Sequence, residues 1–367
     1  MSRDLRTYKI TLTVNGPLYI GSGKEIGKKE YIFLSNNELG IMDIGKLYAK
    51  LLKKGLAPEF EKYMLQEDRR SLEQWLSTHR FQKSDVQECL KYKVKYGKLS
   101  VERGKRLEVR EFVKDPYGMP YIPGSSLKGM LRTLFLATDI IRNPQKYQRD
   151  KEAFSKDLAS YSSNGKYPAK GMRNIEAKRF NLLTRDEKEM HSAVNDIMSG
   201  MVVSDSYPLS TADLVLCQRI ERKVDGTEKK LNVLRECIKP GSKISFDLTI
   251  DESLCAVNAG SIKDAVREFA GMYNDCFVCK FRGTDRIRDN MVCLGGGVGF
   301  LSKTVIYPMY GEKEGVRKTQ EIFDKTKVPR MHKHFQDIKL GVSPHIMKCA
   351  EYNGKSIPMG ICTIEIR

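Results

Sequence analysis

Apolar and polar residues alternate strictly over Tyr8-Lys-Ile-Thr-Leu-Thr-Val14. That period of two puts Ile10, Leu12 and Val14 on one face and predicts a strand with one buried side, ended by Gly16-Pro17. Tyr31–Leu34 predicts a second strand, and Asp43 stands where it can cap a helix carrying Leu47, Leu51 and Leu52. Further on the period changes. Leu127, Met130, Leu131, Leu134 and Ile141 recur at helical spacing, in a helix capped by Ser125 or Ser126 after the turn Pro123-Gly124 and ending near Asn143-Pro144. Gly200–Ser206 reads as a buried strand. Leu214–Ile220 and Leu231–Ile238 read as a hairpin around Asp225-Gly226, and Lys243–Ile250 as one more alternating strand. A helix from Ser261 through Val266, Phe269, Ala270 and Tyr273, a short helix over Glu314–Phe323 and a strand over Met359–Ile366 complete the pattern.

Two stretches break the alternation. Pro58 to about Tyr96 is helical and charged and holds the single tryptophan, Trp75; Lys146 to about Met198 is rich in Lys, Arg, Ser and Asn, and its middle has too few apolar residues to order itself without a partner. Between them Val101–Phe112 is strand-like but basic, with Arg103, Lys105, Arg106 and Arg110. With the two stretches set aside as insertions (about 57–98 and 146–198), strands and helices interleave in two groups, each compatible with a β-α-β-β-α-β order. The expectation is an α+β protein of two ferredoxin-like domains, 1–198 and 199–367, with helical insertions.

Glycines concentrate in two places. Leu18–Gly27 reads as a glycine-rich loop carrying Gly21, Ser22, Gly23 and Lys24. Leu294-Gly-Gly-Gly-Val-Gly-Phe-Leu-Ser-Lys303 has four glycines in five residues (Gly295, Gly296, Gly297 and Gly299), followed by Ser302 and Lys303. Such a run suits a backbone that turns sharply or meets a ligand closely. Neither the phosphate-loop pattern nor the dinucleotide fingerprint is satisfied there, so no nucleotide cofactor is expected. Main-chain N–H groups and Lys303 could instead meet an RNA backbone, helped by Arg282 and Arg286 in the basic stretch before the loop. At the helix opening, Ser125, Ser126, Lys128 and Arg132 would form a second seat for a phosphate. Each of these also has a plain reading: a hairpin bend, and a capped helix with two solvated cations.

The charge changes the weight of those alternatives. Lys plus Arg number 64 against 46 Asp plus Glu in 367 residues, a formal charge of +18 at pH 7, with a pI near 9.4. An excess of that size favours a polyanionic partner. There is no run of the ~18 apolar residues a membrane span needs, and no leader-like apolar core at the start. The expected place is the cytoplasm, with no membrane partner. Nine cysteines and one lone Cys276-Phe-Val-Cys279 pair argue for buried free thiols over a disulfide framework or a zinc site. Of the five histidines, His332, His334 and His345 are candidates for acid–base chemistry by residue type alone. Ser204-Asp205-Ser206 could bind a metal or hold the fold by hydrogen bonds. No catalytic residue and no metal ligand is assigned.

Gly21-Ser-Gly23, Ile122-Pro-Gly-Ser-Ser-Leu-Lys-Gly-Met-Leu-Arg132, Val203-Ser-Asp-Ser206 and Leu294–Lys303 together resemble the RAMP superfamily of CRISPR-associated proteins. Their order and spacing look most like the family of fifth subunits of type III-A (Csm) effector complexes. The resemblance implies RRM-type domains that hold CRISPR RNA by its backbone, a position at the 3′ region of that RNA, and a part in its 3′ maturation. It implies as partners the repeated backbone subunit and the small subunit of the complex, and host nucleases. In the family, target cutting belongs to the backbone subunit and an aspartate of an early loop. No Asp lies between Asp4 and Asp43, which favours a non-catalytic role over an endoribonuclease. Tyr19, Tyr121 and Phe300 flank the relevant loops and could stack on unpaired bases.

Overall fold

The computed structural model describes residues 4–34, 37–66, 68, 70–99, 108–160, 169–189 and 191–367. The basic residues Arg103, Lys105 and Arg106, and the centre of the second insertion, lie outside them. In chain order the protein runs β1 (Leu5–Val14), β2 (Gly21–Ile26), β3 (Tyr31–Leu34) and β4 (Glu38–Met42). Helices α1 to α4 (Ile44–Lys53, Ala57–Leu65, Leu72–Thr78, Lys83–Glu88) lead to β5 (Leu90–Tyr96) and β6 (Glu108–Phe112). Then come α5 (Gly124–Arg142), α6 (Gln148–Ser160), α7 (Ala169–Phe180) and β7 (Met201–Val203). The rest is β8 (Leu214–Lys223), β9 (Glu228–Ile238), β10 (Lys243–Asp251), α8 (Ala259–Cys276), β11 (Met291–Cys293), α9 (Ile306–Lys325, broken at Gly311), α10 (Asp337–Leu340), β12 (Ile346–Tyr352), β13 (Lys355–Pro358) and β14 (Ile361–Ile366).

The protein is α+β, and its strands form two sheets. The first has the order β11-β14-β1-β10-β7, all neighbours antiparallel. Taken along the chain, β1-α5-β7-β10-α8-β14 is a β-α-β-β-α-β sequence, with β10 inserted between β1 and β7 and β14 on the other side of β1. That is the ferredoxin-like order, and it is assembled from the whole length of the chain. The sequence groups 1–145 and 200–367 each supply strands to both sheets, so the boundary drawn at 198/199 is crossed by both. Local periodicity fixes which face of β1 is buried but carries nothing about a partner strand more than 200 residues away.

The alternation expected for β1 is what seats it. Ile10, Leu12 and Val14 are buried, pair with Phe246, Ile244 and their neighbours on β10 and with Ile366, Ile364 and Cys362 on β14, and meet the apolar stripes of α5 and α8 in one continuous core. The second sheet runs β2-β6-β9-β8-β5-β4-β3, with β12 on β8 and β13 on β12. Glu236 of β9 sits in it fully buried, its carboxylate accepting hydrogen bonds from Tyr92, the Phe112 N–H and Lys114. The first insertion closes a separate small core, in which Trp75 packs on Phe60 and Tyr63. Eight of the nine cysteines are buried free thiols; Cys279 is the exposed exception, its Sγ 3.1 Å from an Arg286 nitrogen.

Candidate nucleic-acid interface

The outward face of the first sheet is lined by Thr7, Lys9, Thr11 and Thr13 on β1 and by Lys243, Ser245, Asp247 and Thr249 on β10. An RRM-type sheet stacks bases on aromatic side chains of that face. The β1 and β10 side chains there are hydroxyls and charges, and one exposed ring, Tyr207, lies over Lys9 and donates to Asp247, so the remaining candidate contacts are at the loops.

At the opening of α5 the expected serine cap is replaced. Pro123 is the N-cap residue and no side chain next to it caps the helix. The Gly124 N–H donates instead to the Asp205 carboxylate at 2.8 Å, and the strand-like approach is tied down by Ile122 N–H to Ser206 Oγ and Ser206 N–H to the Ile122 carbonyl. The carboxylate thus takes the place at the helix N-terminus where a phosphate was expected, because an anion there is favoured whatever its source. Of the two readings open for Asp205, the geometry is that of the structural one. The cations of this helix are also occupied. Lys128 donates to the Met201 carbonyl at 2.7 Å, and burial lowers its pKa; Arg132 pairs with Asp196 at 2.6 Å and Glu176 at 3.4 Å and lies over the Phe180 ring at 4.1 Å. Ser125 is exposed, and the Ser126 N–H donates to the Pro123 carbonyl. Replacing both Lys128 and Arg132 by alanine should therefore lower stability by about 1–3 kcal/mol, seen in the urea midpoint. The salt dependence of RNA binding should stay unchanged.

Gly21–Lys24 is a strand, not a loop. It forms the start of β2 at the edge of the second sheet, paired with β6 through a shift of register that Gly23 permits at φ +86°. Ser22 Oγ donates to Glu111 and accepts from the Lys24 N–H, while Lys24 stays exposed. Arg282 is exposed, whereas Arg286 is engaged with Asp275 at 2.7 Å.

The second glycine run is a loop, and a tightly held one. Gly295, Gly297 and Gly299 all have positive φ (+88°, +102° and +91°). A Cβ on Gly295 would stand 2.4 Å from the Tyr19 carbonyl oxygen, and one on Gly297 2.9 Å from an Arg235 guanidinium nitrogen. The Gly296 N–H donates to the Tyr19 carbonyl. Ser302 is buried and donates to the Val298 carbonyl, so it braces the loop from within.

Beneath and beside this loop lies a group of cations the sequence did not single out. Arg235 is only 8% exposed, its guanidinium 4.7 Å from the Tyr19 ring centroid, with a buried Nε that has no hydrogen-bond partner. Burial, then repulsion from Arg219, holds its pKa below the ordinary value. Arg219 of β8 pairs with Glu221 at 2.8 Å, and its own buried Nε is also unpartnered. Lys348 of β12 has its pKa depressed by burial and then by Arg219, Arg235 and Lys303. Gly297, Gly299, Lys303, Arg219 and Lys348 line a cleft of about 400 Å³, together with Glu221, Phe300, Phe323, His332 and His334. Single basic residues on strands look like solvated faces in a sequence; what gathers these is the antiparallel pairing of β8 with β12 and β9.

His334 is held by a buried hub. The fully buried Asp337 carboxylate accepts from His334 Nδ1 at 3.0 Å, His345 Nδ1 at 2.5 Å and Ser343 Oγ at 2.5 Å. Burial acts to raise its pKa, but these three donors together hold it below the usual carboxylate value. The ligand atoms of His334, Asp337 and His345 lie within 4.8 Å of one another, so these are the described residues that could hold a metal ion. Their separations are those of hydrogen bonds to one carboxylate.

Residues 11–299 match the family model of the RAMP superfamily, and the chain belongs to that superfamily. Across its whole length it is 27% identical to the CRISPR system Cms protein Csm5 of Mycobacterium tuberculosis (strain CDC 1551 / Oshkosh), 99% of which is covered. It is 28% identical to the protein of the same description from Streptococcus thermophilus, over 89% of this chain and 87% of that one. A chain of the cryo-EM structure of a Csm-crRNA-target RNA ternary complex of a type III-A CRISPR-Cas system superposes with a TM-score of 0.65 at 19% identity, covering 98% of this chain and 100% of that one. The crystal structure of T. onnurineus Csm5 gives 0.60 at 20% identity, over 96% and 99%. At those identities the two structures establish the likeness of fold.

Proposed function

We propose that the chain is the Csm5-type subunit of a cytoplasmic type III-A Csm effector complex, and that it grips the 3′ region of the CRISPR RNA by its backbone without cutting it. The observation that carries this is the unneutralised cation group around the Gly295–Gly299 loop. Four cations, Arg219, Arg235, Lys303 and Lys348, stand there against Glu221, two of them with unpartnered buried nitrogens. Desolvated like charges repel, and an RNA phosphate relieves that repulsion irrespective of base. Indifference to sequence is what a subunit needs when its RNA carries a different spacer each time. The exposed Lys24 and Arg282 extend the same kind of contact. Similarity to proteins described as Csm5 over 100% and 89% of this chain supports the complex as the setting; its proposed neighbours are the repeated backbone and small subunits, with host nucleases as the proposed agents of 3′ trimming. A tagged copy isolated from its own cell should bring down other Csm subunits and a CRISPR RNA. Recovery of the chain alone, from cells that express the complex, contradicts the proposal.

One observation favours an endoribonuclease instead: His334, oriented by Asp337, lines the same cleft as Lys303 and Lys348. Incubation of the purified chain with end-labelled RNA, with and without divalent metal, separates the two. The binding role predicts intact RNA; cleavage abolished by His334→Ala supports the enzyme.

A further inference from the structure

We infer that the cleft between the glycine loop and the β8–β12 edge is a seat for one ribonucleotide residue, its phosphate among Arg219, Lys303 and Lys348 and its base against Phe300, His332 and His334. The inference deepens the RNA-binding reading above and rests on it.

The lining of the cleft is of two kinds. Three cations belong to it. Neither the Lys303 nor the Lys348 ammonium has a carboxylate within ion-pair distance among the described residues; Glu221, which also lines the cleft, pairs with Arg219 and offsets part of the charge around Lys348, leaving the cations in excess. Just behind Gly297, the nine-tenths buried Arg235 adds a fourth positive charge with an unpartnered Nε. The rest of the lining includes rings that follow one another: Phe300 meets Phe323 at 5.1 Å, Phe323 meets His334 at 4.3 Å and His334 meets His332 at 6.0 Å between centroids. Asp337 fixes the orientation of His334 through its Nδ1, so that ring is pre-set. A cleft of about 400 Å³ lies in the range of small-ligand sites and admits one nucleotide. Cations for a phosphate beside rings for a base is the chemistry that sequence-tolerant single-strand binders use. Gly297 and Gly299 border the cleft without side chains, and apart from its chain neighbours no described atom lies within 4 Å of where a Cβ of Gly299 would be, so the strand can enter past Gly299.

The test uses the full chain, a single-stranded RNA decamer and uridine 3′-monophosphate as probes, and the variants Lys303→Gln/Lys348→Gln and His332→Ala. The double variant should bind the decamer at least about tenfold more weakly, with the slope of log affinity against log salt reduced by about 0.7 for each phosphate that is no longer neutralised. Its ligand-free melting temperature should not fall, because the substitution removes repulsion; a merely structural role predicts that it does. His332→Ala should reduce the stabilisation by uridine 3′-monophosphate towards that given by inorganic phosphate. If the decamer binds wild type and double variant equally, the nucleotide seat is wrong while the wider RNA-binding reading survives. If wild type but not the double variant binds the mononucleotide, and wild type does not bind the decamer, the seat stands and the RNA-binding reading falls. If wild type binds neither probe, both fall.

Discussion

Gly124→Ala should destabilise the protein by about 3 kcal/mol. The added Cβ would stand 2.4 Å from the carbonyl oxygens of both Val203 and Ser204, backbone atoms that have no rotamer to escape into. Relieving that clash moves α5 away from the 203–206 segment, and with it the Gly124 N–H from its Asp205 acceptor. Overpacking costs about 1–3 kcal/mol and loss of a cap about 0.5–2 kcal/mol, and here one displacement incurs both. The urea midpoint should fall with little change in slope. Asp205→Ala, which removes only the cap, should show the smaller part. A Gly124→Ala protein within about 0.5 kcal/mol of wild type, the range of ordinary surface changes, contradicts the docking described for the Pro-Gly-Ser-Ser segment.

Lys114→Met is expected to cost more, about 3–5 kcal/mol, the range for removing one partner of a buried ion pair. Lys114 is 2.6 Å from Glu236, with side-chain exposures of 5% and 0%. Removing the ammonium leaves a buried carboxylate with, among the described residues, the Tyr92 hydroxyl and the Phe112 N–H as donors. The double variant Lys114→Met/Glu236→Gln should recover part of the loss, since the neutral amide removes the orphaned charge while its oxygen can still accept from the Phe112 N–H. Chemical denaturation of the two variants and wild type measures this. A double variant no more stable than Lys114→Met alone contradicts the assignment of the loss to an orphaned charge.

What the sequence made legible was local. The alternation of β1, the stripes of α5 and α8, the Asp43 cap of α1 (which accepts from the Lys46 N–H at 3.0 Å) and the turn at Gly226 (φ +88°) all follow from neighbours within a few residues. The resemblance, too, rested on short motifs, and it led to the superfamily. Long-range placement was not legible. Lys128 and Arg132 look like free cations on a helix because their partners, Met201 and Asp196, come 73 and 64 residues later. Gly21-Ser-Gly23 looks like a loop because glycine disfavours strands, yet a bulged edge strand accepts it. Arg219 and Lys348 stand 129 positions apart, on strands whose pairing no periodicity announces. Of the site expected from the sequence, Gly297, Gly299 and Lys303 do line the cleft; the cations that complete it came only with the sheet.

One property underlies the proposed role: a grip on single-stranded RNA that ignores its bases. Equilibrium binding of the purified chain to two single-stranded RNAs of equal length and unrelated sequence, across a series of salt concentrations, tests it. Equal affinities are expected at every salt concentration, both falling linearly on a log–log plot with the same slope. Tight binding of one sequence and not the other, or an affinity that does not respond to salt, contradicts it.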